Sequence, residues 1–253
     1  VMDETAIDLV GQYFKRRGNW IVIPDNPKIT HKIIVNDDIT NKATEGSIVV
    51  IRIISRPDQF RPSKGKIIEV IGDRNEKGID TRIAIHSNNI PVSWPKAVNN
   101  QLANLQKEVS FSSESNRIDL RDLDFITIDG VGARDFDDAV YAKESKHGFR
   151  LLVAIADVAH YVEIDSPLDK EALNRGTSVY FPDRVIPMLP KVLSNDLCSL
   201  NPDVDRFCMV CEMDVDLDGN VTKSKFFNGI MRSKARLTYS QVNSYLNKEN
   251  VDF

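Results

Sequence analysis

Short runs in which apolar and polar residues alternate recur along the first third of the chain, at Leu9–Phe14, Trp20–Ile23, Lys32–Val35, Ser47–Ile54 and Lys64–Ile71. A two-residue period is that of a half-buried strand. Clusters of turn-forming residues separate the runs, at Arg17–Asn19, Pro24–Pro27, Asn36–Asp38 and Arg56–Pro57. Five strands in about seventy residues predict an OB-like barrel over residues 1–75. Residues 76–118 read as a connector: one more strand at Ile83–Ile90, a break at Pro91–Pro95, a helix over Ala97–Leu105, and a polar boundary at Ser110–Asn116. Residues 119–253 mix the two periods. Strands are expected at Phe125–Ile128, Ala139–Ala142, Phe149–Ile155, 207–217 and 221–229, with helices at Asp165–Asn174 and from Thr238 onward. That segment reads as a mixture of strands and helices, and no repeat or low-complexity tract interrupts the chain.

The 253 residues carry a net charge of −4, which misleads until it is divided. Residues 1–118 hold 17 Lys and Arg against 14 Asp and Glu, while residues 119–253 hold 16 against 23. A mildly basic barrel beside an acidic second unit fits one part that holds a polyanion and another that acts on it. In the barrel, Tyr13, Phe14 and Trp20 bracket Lys15, Arg16 and Arg17, so rings for stacking and cations for phosphates are interleaved as single-strand binding requires. Each ring is equally eligible for the core, and alternation requires that some of the three be there.

The acidity of the second unit is concentrated. Asp129, Asp135, Asp137 and Asp138 fall within ten residues, in Thr-Ile-Asp-Gly-Val-Gly-Ala-Arg-Asp-Phe-Asp-Asp-Ala-Val (127–140). Carboxylates this close raise one another's pKa unless a cation neutralises them. Oxygen donors suit Mg²⁺ or Mn²⁺, and Mg²⁺ held by a few carboxylates commonly works on phosphates. The expected chemistry is phosphoryl transfer or phosphodiester hydrolysis. In extended chain Asp135 and Asp137 face one way and Asp138 the other, so the four converge only if the backbone turns near Phe136.

Two other patterns fail on their own terms. Asp214–Gly219 matches the first half of an EF-hand loop, but its twelfth position is Lys225 where a bidentate Glu is needed, so Asp218-Gly219 reads as a hairpin turn. Cys208 and Cys211 form C-x-x-C with no second ligand pair, on an apolar run where residues three apart face opposite sides. Neither zinc nor a disulfide is expected. Three cysteines without a secretory signal fit a cytoplasmic protein, and no apolar stretch is long enough for a membrane span.

Four segments, Asp119–Gly130, Ala133–Val140, Leu152–Tyr161 and Asn174–Pro190, resemble the catalytic (RNB) domain of the ribonuclease II family, and Leu193–Pro202 continues the likeness. Arg17–Asp25 and Gly65–Gly72 resemble the second cold-shock domain that precedes it, and the wording is most similar to the family's bacterial ribonuclease R branch. The resemblance implies an all-β OB-fold, cold-shock-like barrel followed by an α+β RNB domain, the latter cut short at Phe253. It implies a processive, Mg²⁺-dependent 3′→5′ exoribonuclease that takes single-stranded RNA with a free 3′ end and releases nucleoside 5′-monophosphates. It needs no small-molecule cofactor or membrane, and acts as a monomer. The family's catalytic and metal-binding aspartates fall on Asp129, Asp135, Asp137 and Asp138, and its 3′-end-clamping aromatic on Tyr180. Asp157 and His160 lie in a family motif without an assigned role. A later catalytic Arg, a first cold-shock domain and a C-terminal RNA-binding domain have no counterpart in these residues, so a fragment that only binds RNA is one alternative. A DNA-directed metallonuclease is the other.

Overall fold

The computed structural model describes residues 8–35, 43–57, 61–106, 108–109 and 116–248. Five strands, β1 (Asp8–Arg16), β2 (Asn19–Pro24), β3 (Ile33–Val35), β4 (Ser47–Ser55) and β5 (Lys64–Asp73), close into a barrel in the order β1-β2-β3-β5-β4. All five expected strands are present, and the interior is filled by alternate residues, among them Tyr13, Val22, Ile33, Val35, Val49, Ile51 and Ile67. Arg17 and Gly18 both have positive φ (49° and 81°) in the two-residue turn between β1 and β2. That backbone matches the twist of the flanking strands. The turn expected at Asn36–Asp38, and all but the last residue of Ser110–Asn116, lie outside the described residues.

The strand expected at Ile83–Ile90 is a helix, α1 (Ile79–Ser87). Ile83 and Ile85 alternate as on a strand, but Ile79 and Ile83 are one helical turn apart. Both pack with Val10, Ile48, Val50 and Ile71 of the barrel, and this burial overrides the strand preference of β-branched side chains. A second helix, α2 (Lys96–Ala103), lies where helical spacing was read.

The second unit is built on a seven-stranded sheet in the order β14-β7-β8-β9-β12-β13-β6. In chain order its strands are β6 (Ile118–Asp119), β7 (Ile126–Asp129), β8 (Asp138–Ser145) and β9 (Gly148–Ala156), then β12 (Asp205–Asp216), β13 (Val221–Arg232) and β14 (Ala235–Thr238). Between them in sequence come α3 (Pro167–Arg175) and the two-stranded ribbon of β10 (Val179–Tyr180) and β11 (Val185–Ile186), of which residues 180–186 belong by contacts to the barrel unit; α4 (Tyr239–Leu246) follows. Neighbours are antiparallel except β14 with β7 and β13 with β6. Leu152, Ala154, Cys208, Val210 and Met231 share the core with Val98, Leu168, Leu193 and Leu197. Asp218-Gly219 lies in the hairpin between β12 and β13, where the Asp216 carboxylate accepts the N–H groups of Asp218 and Asn220. Among the described residues no helix is long and apolar enough to cross a membrane.

By contacts the chain divides into two units. The first comprises 1–93 together with 180–186, and the second comprises 94–179 and 187–253.

Candidate active site

The four aspartates hang from the connection between β7 and β8. Asp129 is the last residue of β7 and Asp138 the first of β8. Between them the Ala133 N–H donates to the Gly130 carbonyl (3.1 Å). The chain is then pinned at Phe136, whose side chain is buried, whose N–H donates to Ser199 Oγ (3.0 Å) and whose carbonyl accepts from the Leu200 N–H (2.8 Å). The Asp137 carbonyl accepts from the Ala156 N–H (2.9 Å), which begins the β8–β9 ladder. With Phe136 drawn into the core, Asp137 and Asp138 are exposed and Asp129 and Asp135 half-buried. Asp138 opens a row across the sheet through Ile155, Met209 and Asn228; Ile155 and Met209 are each nearly half exposed.

The carboxylates sense one another. Burial raises the Asp129 pKa above the usual carboxylate range; the charges of Asp138 and Asp135 add to this and Arg236 opposes it. The Asp137 carboxyl is also raised. It is solvent-accessible, yet enough protein surrounds it that partial burial leads the causes, followed by Asp135, Asp138 and Asp129. Four hard oxygen donors under mutual repulsion fit a divalent cation by chemistry. Their side-chain placement is open: among the described residues no three Asp, Glu, His or Cys side chains are grouped closely enough to hold a metal ion.

Two residues that sequence reasoning missed support this turn. Arg236, in β14 beside β7, donates from Nη2 to the carbonyls of Gly130 (3.0 Å) and Val131 (2.8 Å), with its guanidinium 5.0 Å from the Phe136 ring centroid. Ser199 anchors Phe136 from 63 residues away. Neither left a local pattern, because each acts on backbone groups distant in sequence.

The remaining candidates lie apart from this turn in role. The Asp157 carboxylate is buried, accepts from Arg117 Nη2 (2.6 Å), and caps the short turn Val158–His160 by accepting the His160 N–H. Arg117 lies 4.3 Å from the Phe207 ring centroid, and His160 packs edge-on against Phe207. Burial lowers the His160 pKa, with Arg117 adding to the effect. This is a packed ion pair with an aromatic lid. In the barrel unit, Lys15, Arg16 and Arg17 are all exposed at the β1–β2 turn. Trp20 is half-buried, its ring stacked on core Tyr13 at 4.5 Å with Lys15 Nζ 5.2 Å from its centroid. Tyr180, on the β10–β11 ribbon, is 66% exposed.

Comparison with known proteins matches residues 117–252 to the RNB domain and residues 21–95 to a cold shock domain. Ribonuclease R of Vibrio parahaemolyticus serotype O3:K6 is 49% identical over 97% of this chain, and Ribonuclease R of Escherichia coli K12 is 51% identical over 92%. The chain spans about 30% of the length of these curated relatives (30% and 29%). Among solved structures, Mycoplasma genitalium RNase R in complex with double-stranded RNA superposes with a TM-score of 0.88 at 33% identity, over 98% of this chain and 44% of that one. Yeast Ssd1, described as a pseudonuclease, superposes at 0.74 with 16% identity, over 99% of this chain and 32% of that one, which shows the fold alone. With the RNB domain matched over more than half of its residues, and a cold-shock domain ahead of it, this chain belongs to the RNB family of ribonuclease R-like proteins.

Proposed function

We propose that this chain carries the catalytic turn of a divalent-metal-dependent 3′→5′ exoribonuclease that degrades single-stranded RNA to nucleoside 5′-monophosphates. The observation that supports the reading is the turn pinned at Phe136, in which Asp129 ends β7, Asp138 opens β8, and Asp135 and Asp137 lie in the connection between them. The fold by itself does not decide activity, since it also occurs in a protein described as a pseudonuclease. The intact acidic set is what favours a nuclease.

Asp129 and Asp138 are the proposed direct ligands, and Asp135 and Asp137 either ligate as well or orient the attacking water. When bound, Mg²⁺ at such a site activates a water and stabilises the leaving 3′-oxygen of the last phosphodiester. The protein's own work is to hold the carboxylates: Ser199 and Leu200 fix Phe136, and Arg236 fixes the Gly130–Val131 carbonyls. The exposed cations Lys15, Arg16 and Arg17 supply phosphate contacts, and Trp20 an adjoining aromatic wall. The exposed Tyr180 ring stacks on the RNA near its 3′ end, a contact that tolerates any base.

The test is to incubate the protein's full chain with 5′-labelled, 3′-tailed RNA and with DNA of matched sequence, with and without Mg²⁺. The reading expects RNA alone to be shortened progressively from its 3′ end, and only with Mg²⁺. Equal shortening of the DNA would support a general metallonuclease instead.

A further inference from the structure

One side chain ties the Tyr180 ribbon to helix α1. The ribbon turns through Phe181–Arg184, where the Phe181 N–H donates to the Arg184 carbonyl (2.8 Å). From this turn Asp183 reaches the first turn of α1, and the Thr81 hydroxyl donates to its Oδ1 (2.9 Å) across 102 residues of sequence. Its Oδ2 accepts from Arg184 Nε (3.0 Å), which holds the carboxylate in orientation.

That helix has no capping side chain of its own. Its N-cap is Gly78, in the left-handed region at φ 81°, and no side-chain bond satisfies the first turn. The first N–H groups of a helix lack intrahelical partners and carry partial positive charge, so a carboxylate is stabilised there. Asp80 stands in that first turn, and Asp183 brings a second carboxylate to it from the ribbon through the Thr81 hydroxyl. Its Oδ2 lies 3.6 Å from where a Cβ on residue 78 would stand. α1 in turn is fastened to the barrel by buried Ile79 and Ile83, and by Arg82, which donates to the Ile71 carbonyl (2.7 Å).

We propose that Asp183 and Thr81 are positioning residues for Tyr180: their hydrogen bond ties the ribbon to α1, fixes where the exposed ring stands, and so helps to set the shortest RNA the enzyme retains. This rests on the reading of Tyr180 as the contact near the RNA 3′ end. Neither Asp183 nor Thr81 touches substrate in this account. The tie acts through the ring alone, and only the end of the reaction is sensitive to it, because a long RNA keeps its other contacts.

The experiment is gel analysis of the limit product from an end-labelled RNA, using the full chain and the variants Tyr180→Ala, Asp183→Ala, Thr81→Val, Thr81→Ser and the double variant Tyr180→Ala/Asp183→Ala. Melting curves recorded alongside separate a loosened ribbon from an unfolded barrel. Tyr180→Ala should lengthen the limit product by a few nucleotides. Asp183→Ala and Thr81→Val should lengthen it by part of that amount, with long RNA degraded at nearly the parental rate. Thr81→Ser keeps the hydroxyl and should keep the parental product, and the double variant should match Tyr180→Ala, because residues acting through one contact are not additive. Parental products from both Asp183→Ala and Thr81→Val, beside a lengthened one from Tyr180→Ala, would overturn the positioning role and leave the Tyr180 reading standing. A parental product from Tyr180→Ala would overturn both. A double variant with a longer product than Tyr180→Ala would show that Asp183 acts other than through the ring and would overturn the positioning role.

Discussion

Phe136 is the residue on which the acidic turn depends. Its ring is in the core, its N–H and carbonyl are both bonded to the Ser199–Leu200 segment, and Asp137 and Asp138 after it are left exposed. Replacing Ser199 with Ala would strand the Phe136 N–H in a buried setting, a loss worth about 1–3 kcal/mol. Ser199→Ala should therefore lower the unfolding free energy by that amount, read from the midpoint of a urea titration, and should slow RNA cleavage more than it weakens RNA binding. An unchanged midpoint would mean that the turn is held by other contacts. Cys198 and Cys208 behave oppositely to a reactive thiol. Burial pushes the Cys198 and Cys208 thiols up to about 12 from their ordinary 9.0. The neutral form is thus favoured on folding, so their contribution to stability is complete below pH 9 and is lost as pH rises toward 12. At pH 8 the native protein should resist iodoacetamide at both positions, with the half-buried Cys211 alkylated first.

At the scale of elements, α4 begins with a capping box in which the Thr238 hydroxyl accepts the Gln241 N–H and the Gln241 side chain accepts the Thr238 N–H. Thr238→Ala should destabilise the protein by about 0.5–2 kcal/mol and Thr238→Asn by much less, checked by chemical denaturation. That helix start was legible because a capping box is local, written in Thr238 and Gln241 themselves. The barrel strands were legible for the same reason: alternation and turn residues are local signals. Helix α1 was not, because Ile83 and Ile85 satisfy a strand pattern on their own, and only the packing of Ile79 and Ile83 on Val10, Ile48 and Ile71 selects the helix. The candidate site divides likewise. The aspartates stand out in ten residues, whereas Ser199, Arg236 and the Asp183–Thr81 bond act across 63 to 106 residues and leave no trace in any window. Trp20 shows a third case, since alternation left its side open and the stack on Tyr13 decides that much of the ring serves the barrel.

For the whole molecule, charge is distributed by unit, with a positive balance before residue 119 and a negative one after it. If Lys15, Arg16 and Arg17 contact phosphates, neutralising all three should flatten the dependence of log affinity on log salt by about 2, near 0.7 for each contact to a single strand. An anisotropy titration with the parental slope would mean that the barrel presents another face to RNA. On the proposed function the second unit supplies the chemistry, and Asp138, exposed at the start of β8, is the residue that tests it. An amide is a poor Mg²⁺ ligand, and removing one negative charge lessens repulsion of the phosphate. The most direct measurement is therefore cleavage and affinity on one RNA, in Mg²⁺, for the full chain and its Asp138→Asn variant. Cleavage should be abolished while affinity holds or rises; turnover within a few-fold of the parent would contradict the assignment of this turn as the catalytic centre.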